Sequence, residues 1–329
     1  MMKTKFSPLR RLGLQLGLLS AALLGGGIAS AQESTRPVRI VIPFTAGSQT
    51  DVIARLISQP MSNYLKQPVI VENRPGAAAT VAAQSVLAEP ADGHALLFVS
   101  SAYAVLPHSG MRLPYNPAKD LLAVSIVARS PTILFASTAT GFKTTADLIA
   151  AAKAAPGSLN FGSSGIGSGT HLNAEHFASA AGFQATHIPY KGGRDVVTEV
   201  IAHRVDYGFL PASDLVGFGP DKLTMLGVGS KDRIRQFPNI PPIADSGLPG
   251  FEYYLWQALL LKAGTPAATF DRINRAIATA LADPAVVKGF SDLGIDAMKT
   301  DVAAAQQFLA EDMRKTGELV KSRNLKLSQ

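Results

Sequence analysis

Beyond residue 36 the apolar positions fall into short continuous runs, separated by helix-length stretches that carry one apolar stripe. "VRIVIPF" (38–44) has the composition of a buried strand, and "TAGSQTD" ends it in turn residues. In "VIARLISQPMSNYL", Ile53, Leu56, Ile57, Met61 and Tyr64 recur at helical spacing, with Pro60 expected to kink or restart the helix. "PVIVENR" (68–74) predicts a second strand, "PGAAATVAAQSVLAE" a helix of small residues and "HALLFVS" (94–100) a third strand. This alternation predicts a parallel sheet with helices on both faces. The turns after the strands then lie at the carboxyl edge of the sheet, where open α/β sheets bind ligands.

The second half follows the same rules. "VSIVARSPTILFAS" (124–137) is strand material long enough to run from one lobe into another. "TTADLIAAAKAAPG" predicts a helix capped by Thr144 or Thr145. "LNFGSSGIGSGTH" reads as strand, turn and helix start; "ATHIPYKGG", "VDYGFLPASD" and "LTMLGVGS" supply further strands, the first two separated by the helix "RDVVTEVIAHR". The stretch from Phe237 to Pro266 is punctuated by proline and glycine, as a return crossing would be. Near the C-terminus Phe270, Ile273, Ile277 and Leu281 form one helical stripe, and Val302, Gln306, Leu309 and Met313 a less regular one.

The first 31 residues have a different character. A basic stretch ("MMKTKFSPLRR"), an apolar core ("LGLQLGLLSAALLGGGIA") and "ASA" at 29–31 predict an export signal cleaved after Ala31. Arg10–Arg11 raises twin-arginine export, but Gly13 stands where that route favours a bulky apolar residue, so the general route is preferred. Loss of Lys3, Lys5, Arg10 and Arg11 with the leader lowers the formal charge from +7 to +3. That is too weak and scattered a charge for nucleic-acid binding. There is no cysteine, hence no disulfide framework and no lipid-anchor cysteine. These features predict a soluble periplasmic protein.

The chemistry narrows by elimination. "FGSSGIGSGTH" (161–171) lacks the lysine of a phosphate-binding P-loop, and Thr170 occupies the third glycine position of a dinucleotide fingerprint. A nucleophile elbow centred on Ser164 fails at Ile166, where glycine is required. His171 and Glu175 share a helix face, but no HExxH motif occurs and His187 stands apart, so no metal site is expected. What remains is a hydrogen-bonding cradle, and "PFTAGSQTD" is a second one. Both offer backbone N–H groups, hydroxyls and a helix N-terminus without Lys or Arg, a combination suited to a carboxylate. Asp51 is read as the cap of the first helix. A cradle in each of two lobes implies closure around the ligand.

Seven segments, "PVRIVIPFTAGSQTD", "QPVIVENRPGA", "ADGHALL", "LPYNPAKDL", "GSSGIGSGTHL", "HIPYKGG" and "AGTP", occur in this order. Together, from about Arg36 to the C-terminus, they resemble the receptors of tripartite tricarboxylate transporters, the TctC or Bug family of periplasmic solute-binding proteins. The resemblance implies an α/β, type II periplasmic-binding-protein fold with two doubly wound lobes joined by hinge strands. Lobe 1 would comprise 36–124 plus 252–329 and lobe 2 would comprise 125–251. It implies no catalysis and no cofactor. The ligand would be a small organic carboxylate, whether a di- or tricarboxylate, an acidic amino acid, an aromatic acid or a nicotinate-like compound. A monomer would hand it to integral membrane transporter subunits. Carried over by position, the binding residues are Phe44, Ala46, Gly47, Ser48 and Asp51 from the first turn, and Ser164, Gly165, Gly167, Ser168, Thr170 and His171 from the second. Ser101 and Asp214 are poorer matches, offered for the far end of the ligand. The sequence departs from the family where a Pro-Gly-Gly step becomes "AGS" and where "GAGG" after "ENRP" becomes "GAAA". Two other functions remain open from the residues: the ligand-sensing input of a signalling system, and a hydrolase using Ser164 or Ser168 with His171.

Overall fold

A computed structural model describes residues 36–327 except Val216; the expected leader lies outside the described residues. Among the described residues no helix is long and apolar enough to cross a membrane.

The chain begins with strand β1 (Val38–Ile42), helix α1 (Gln49–Leu65), strand β2 (Val69–Asn73), a short helix α2 (Thr80–Leu87) and strand β3 (Ala95–Ser100). As expected, β1 pairs in parallel with both β2 and β3. The alternation argument does not extend to the middle of the sheet. The 17-residue β4 (Leu121–Ser137) and the nine-residue β9 (Tyr254–Lys262) run antiparallel to each other, and β9 runs antiparallel to β3. Beyond them β5 (Asn160–Ser163), β6 (Thr186–Pro189) and β7 (Tyr207–Pro211) are again mutually parallel where they pair. The order across the sheet is β2-β1-β3-β9-β4-β7-β5-β6. Strands β8 (Leu223–Val228) and β10 (Asp296–Ala297) add antiparallel pairs on β4. The sheet is therefore mixed because two long strands cross between two parallel halves.

Strand β4 also shows why the halves have separate cores. Along its first part Val124, Val127 and Ala128 join one apolar cluster, while Leu121, Ala123 and Ile126 join the cluster on the opposite face. Along its second part Leu134 and Ala136 enter a third cluster, and Ile133 and Phe135 a fourth. Side chains of a strand alternate between faces, so one strand can feed four cores if helices cover both faces at both ends. The first half is covered by α1, α2, α7 (Ala267–Ala280), α8 (Pro284–Asp292) and the long C-terminal α9 (Val302–Ser322). The second is covered by α3 (Thr145–Ala154), α4 (Gly169–Ala181), α5 (Gly193–Ile201) and α6 (Ala212–Leu215).

Helix α1 runs unbroken through Pro60. Its buried stripe is Ile53, Ala54, Ile57, Met61 and Leu65, while Tyr64 is turned outward. Helix α3 starts with a complete capping box: Asp147 N–H donates to Thr144 Oγ1 and Thr144 N–H to the Asp147 carboxylate. Replacing Thr144 by alanine is expected to cost about 1 kcal/mol, read as a shift in the denaturation midpoint. An unchanged midpoint would mean that solvent caps the helix equally well.

Candidate functional site

The turn after β1 and the turn after β5 prove to be one device built twice. In each, a glycine with positive φ precedes a serine in extended conformation: Gly47 (φ 82°) then Ser48, and Gly167 (φ 72°) then Ser168. The serine caps the helix. Asp51 N–H donates to Ser48 Oγ at 3.3 Å, and His171 N–H to Ser168 Oγ at 3.2 Å. The third helical residue then reaches back. Asp51 Oδ2 accepts from Gly47 N–H at 2.9 Å, and His171 Nδ1 accepts from Gly167 N–H at 3.1 Å. Glycine takes the positive φ without a Cβ penalty, which is why the step is glycine in both turns. The pattern is legible as Gly-Ser-x-Thr followed by Asp or His, "GSQTD" and "GSGTH". The caps are therefore Ser48 and Ser168, and the expectation that Asp51 is the cap is corrected: Asp51 accepts from the turn preceding the helix.

The two acceptors are held by different means. Burial alone would raise the Asp51 carboxyl, but hydrogen bonds from Arg55, Gly47 N–H and Asn73 outweigh it and hold it below the usual carboxylate range. His171 is buried, and burial together with the neighbouring His187 pushes its imidazole down to about 3. Burial pushes His187 down to about 4. The two rings stack with centroids 3.8 Å apart, and Phe161 stacks on His187 at 4.9 Å. His187, isolated in the sequence, is thus brought beneath the glycine turn by strand β6.

Hydrogen bonding assigns the His171 tautomer. Ser163 Oγ accepts from Gly165 N–H and contacts both Gly165 O at 3.1 Å and His187 Nε2 at 2.6 Å. Accepting at Nδ1, His171 carries its proton on Nε2, 4.0 Å from Glu175 Oε1. At neutral pH these lowered values leave both rings uncharged, and among the described residues no hydrogen bond is found from the His171 ring to Ser164 or Ser168. Between the ordinary imidazole value of 6.5 and the folded values near 3 and 4, the unfolded chain binds more protons. Stability should therefore fall on acidification below about pH 6.5, by up to about 1.4 kcal/mol per pH unit for each ring. Denaturant midpoints of the wild type and His171→Gln between pH 7 and pH 5 check this. The variant should show the shallower slope, and equal slopes would sink the assignment.

The second device borders a cavity, and from the first turn's side Phe44 reaches it. The cavity, of about 300 Å³, is lined by Phe44 after β1, Ala77–Ala79 before α2, Ser100 at the end of β3 and Ala102 after it, and Ile166, Gly167 and Ser168 of the second turn. Gly167 and Gly169 face Val105, Ser101 and Leu255 so closely that a methyl on Gly169 would lie 2.5 Å from Ser101 Oγ. Gln49 ties the first turn to the crossing strands, accepting from Gln257 Nε2 at 3.1 Å. Larger hollows, such as one of about 530 Å³ between α9 and the crossing strands, touch neither turn.

Of the residues singled out from sequence, Phe44, Gly167 and Ser168 line the cavity and Ser101 stands beside it. Gly47, Ser48, Asp51, Thr170 and His171 build the turns; Thr170 Oγ1 accepts from Ser164 N–H at 3.0 Å, and Gly165 (φ 116°) bends the loop. Ala46 belongs to the first turn. Asp214 lies elsewhere, against Gly193 at the start of α5, in a hollow with Arg194 and Thr198. Sequence reasoning missed Ser163, Gln49, Gln257 and Ala77–Ala79. The repeated turn pattern points to Gln49, whereas the others depend on chain crossings that no local pattern announces.

Comparison with known proteins agrees with this architecture. Residues 53–325 match the tripartite tricarboxylate transporter family receptor. The UPF0065 protein in the tcbD-tcbE intergenic region of Pseudomonas sp. (strain P51) is 35% identical over 263 residues, 79% of this chain and 78% of that protein. Rpa4515 of R. palustris, solved with adipate, superposes with a TM-score of 0.76 at 27% identity, covering 90% of this chain and 99% of that one. MatC of Rhodopseudomonas palustris, solved with bound malate, gives a TM-score of 0.71 at 26% identity, covering 87% and 99%.

Proposed function

The chain belongs to the tripartite tricarboxylate transporter receptor family, and from that membership we propose that it captures a small organic carboxylate in the cavity bordered by Phe44 and the second Gly-Ser turn and delivers it to integral membrane transporter subunits. The family is one of periplasmic solute-binding receptors, and its members solved with adipate and malate hold carboxylates. The observation that carries the reading is the twin turn. Helix α4 carries first-turn N–H groups without partners within the helix, next to the Gly167–Ser168 step that lines the cavity, and α1 repeats the arrangement after Phe44, which lines it too. The cavity lining contains no cationic side chain. Aligned N–H groups and helix dipoles stabilise a carboxylate there without a paired charge. Asp51 and His171 then hold the turns in shape, while Phe44, Ser101, Gly167 and Ser168 face the ligand.

In this reading residues 36–124 with 252–329 and residues 125–251 act as two lobes, and β4 and β9 are the hinge strands across which they close. The leader directs the chain to the periplasm and is removed after Ala31. Differential scanning fluorimetry of the refolded, ligand-stripped protein against a panel of carboxylates tests the capture step. A ligand at 100 times its dissociation constant should stabilise by about 2.7 kcal/mol. No shift with any carboxylate would remove the proposal. Uptake of the identified acid should disappear when the gene is deleted; uptake unchanged by deletion would instead favour a sensory role.

A further inference from the structure

The cavity lining narrows the ligand class, on the reading that this cavity is the carboxylate site. Its polar end is made by Gly167, Ser168 and the Ser100–Ala102 turn; the rest is Phe44, Ala77–Ala79, Val105, Leu106, Met111 and Ile166. No Asp, Glu, Lys, Arg or His lines it. The hydroxyls nearest the apolar end are already engaged: Tyr103 OH donates to Pro117 O at 3.0 Å, and Ser109 Oγ donates to Leu106 O at 2.9 Å while accepting from Met111 N–H. The Ala77–Ala79 wall is held in an unusual shape, three consecutive alanines with φ of 45°, 49° and 72°. Such a backbone costs free energy for residues with a Cβ, and here it lays a run of small apolar side chains along the cavity.

We infer that the ligand is a monocarboxylate with an uncharged apolar body, aliphatic or aromatic, and that a second carboxylate is selected against. The cavity volume of about 300 Å³ lies at the low end for ligand sites. A second carboxylate at the far end would lose hydration against methyl groups and find no cationic side chain there, which disfavours its binding.

The matched pair hexanoate and adipate, which differ in one terminal carboxylate, tests this by isothermal titration calorimetry on the ligand-stripped full chain, with benzoate against terephthalate as the aromatic pair. In at least one pair the monocarboxylate should bind more than tenfold more tightly than its dicarboxylate partner. Met111 is partly exposed at the cavity wall, so Met111→Lys can place an ammonium at the apolar end without burying it fully. That variant should narrow or reverse the preference. Dicarboxylates binding as tightly as monocarboxylates, or tighter, would overturn the inference while leaving carboxylate capture intact. Binding of none of the four acids would overturn the inference, while the wider carboxylate panel decides whether capture stands.

Discussion

Gly169→Ala should fold normally and lose carboxylate binding by tenfold or more. Gly169 is the first residue of α4, with ordinary backbone angles, and alanine is a better helix former by about 1 kcal/mol, so nothing local opposes the change. The obstacle lies in β9 and the turn after β3. The added Cβ would sit 2.4 Å from Leu255 Cδ2 of β9 and 2.5 Å from Ser101 Oγ after β3. Those distances cannot be kept, so either the side chains rotate or the second turn backs away from the first half of the molecule. The turn carries Gly167 and Ser168 with it, which displaces the part of the cavity wall they form. Tenfold in affinity is only about 1.4 kcal/mol, well within what such a displacement removes. Calorimetric titration beside a thermal melt separates the two effects. Normal affinity in a normally folded variant would show that the carboxylate lies elsewhere.

The second large effect is expected at the end of α9. The C-terminal segment after α9 returns to the second half of the molecule, where Arg323 Nε pairs with Glu175 Oε2 at 3.0 Å and Nη1 donates to Phe183 O at 3.1 Å. Glu175 is buried on α4, one turn beyond His171. Arg323→Ala leaves that carboxylate without its counter-charge, which costs about 3–5 kcal/mol in buried pairs. The measurement is the denaturation midpoint, with Arg323→Ala/Glu175→Leu as the companion. Removing both charges should recover a substantial part of the loss, because most of the cost is the stranded carboxylate rather than the missing attraction. A double variant no more stable than Arg323→Ala would mean that packing of the arginine stem dominates.

Much of the fold was legible. The runs 38–44, 68–74, 94–100 and 124–137 became strands with ends shifted by a few residues, because continuous apolar runs bounded by turn residues carry their own signal. Direction was not legible in the same way. A strand's residues look alike whether its neighbour runs parallel or antiparallel, and so the crossing pair β4 and β9 emerged only from pairing. Met61 met its expected burial but Tyr64 did not, since a five-residue stripe is wider than the contact α1 makes with the sheet.

The two Gly-Ser turns divide along the same line. Their existence, their lack of cations and their place at strand ends were written in "GSQTD" and "GSGTH", because caps are made by residues within one helical turn of each other. Which residue caps was misread for Asp51, because Ser48 and Asp51 both have the chemistry and only backbone angles decide between them. That His171 is a neutral acceptor stacked on His187, that alanines 77–79 wall the cavity, and that Ser101 and Leu255 close on Gly169 are tertiary facts. They join residues dozens of positions apart, whose approach depends on packing of the whole sheet. Local chemistry was therefore determined by the sequence, and the shape and polarity of the space it faces by the tertiary structure.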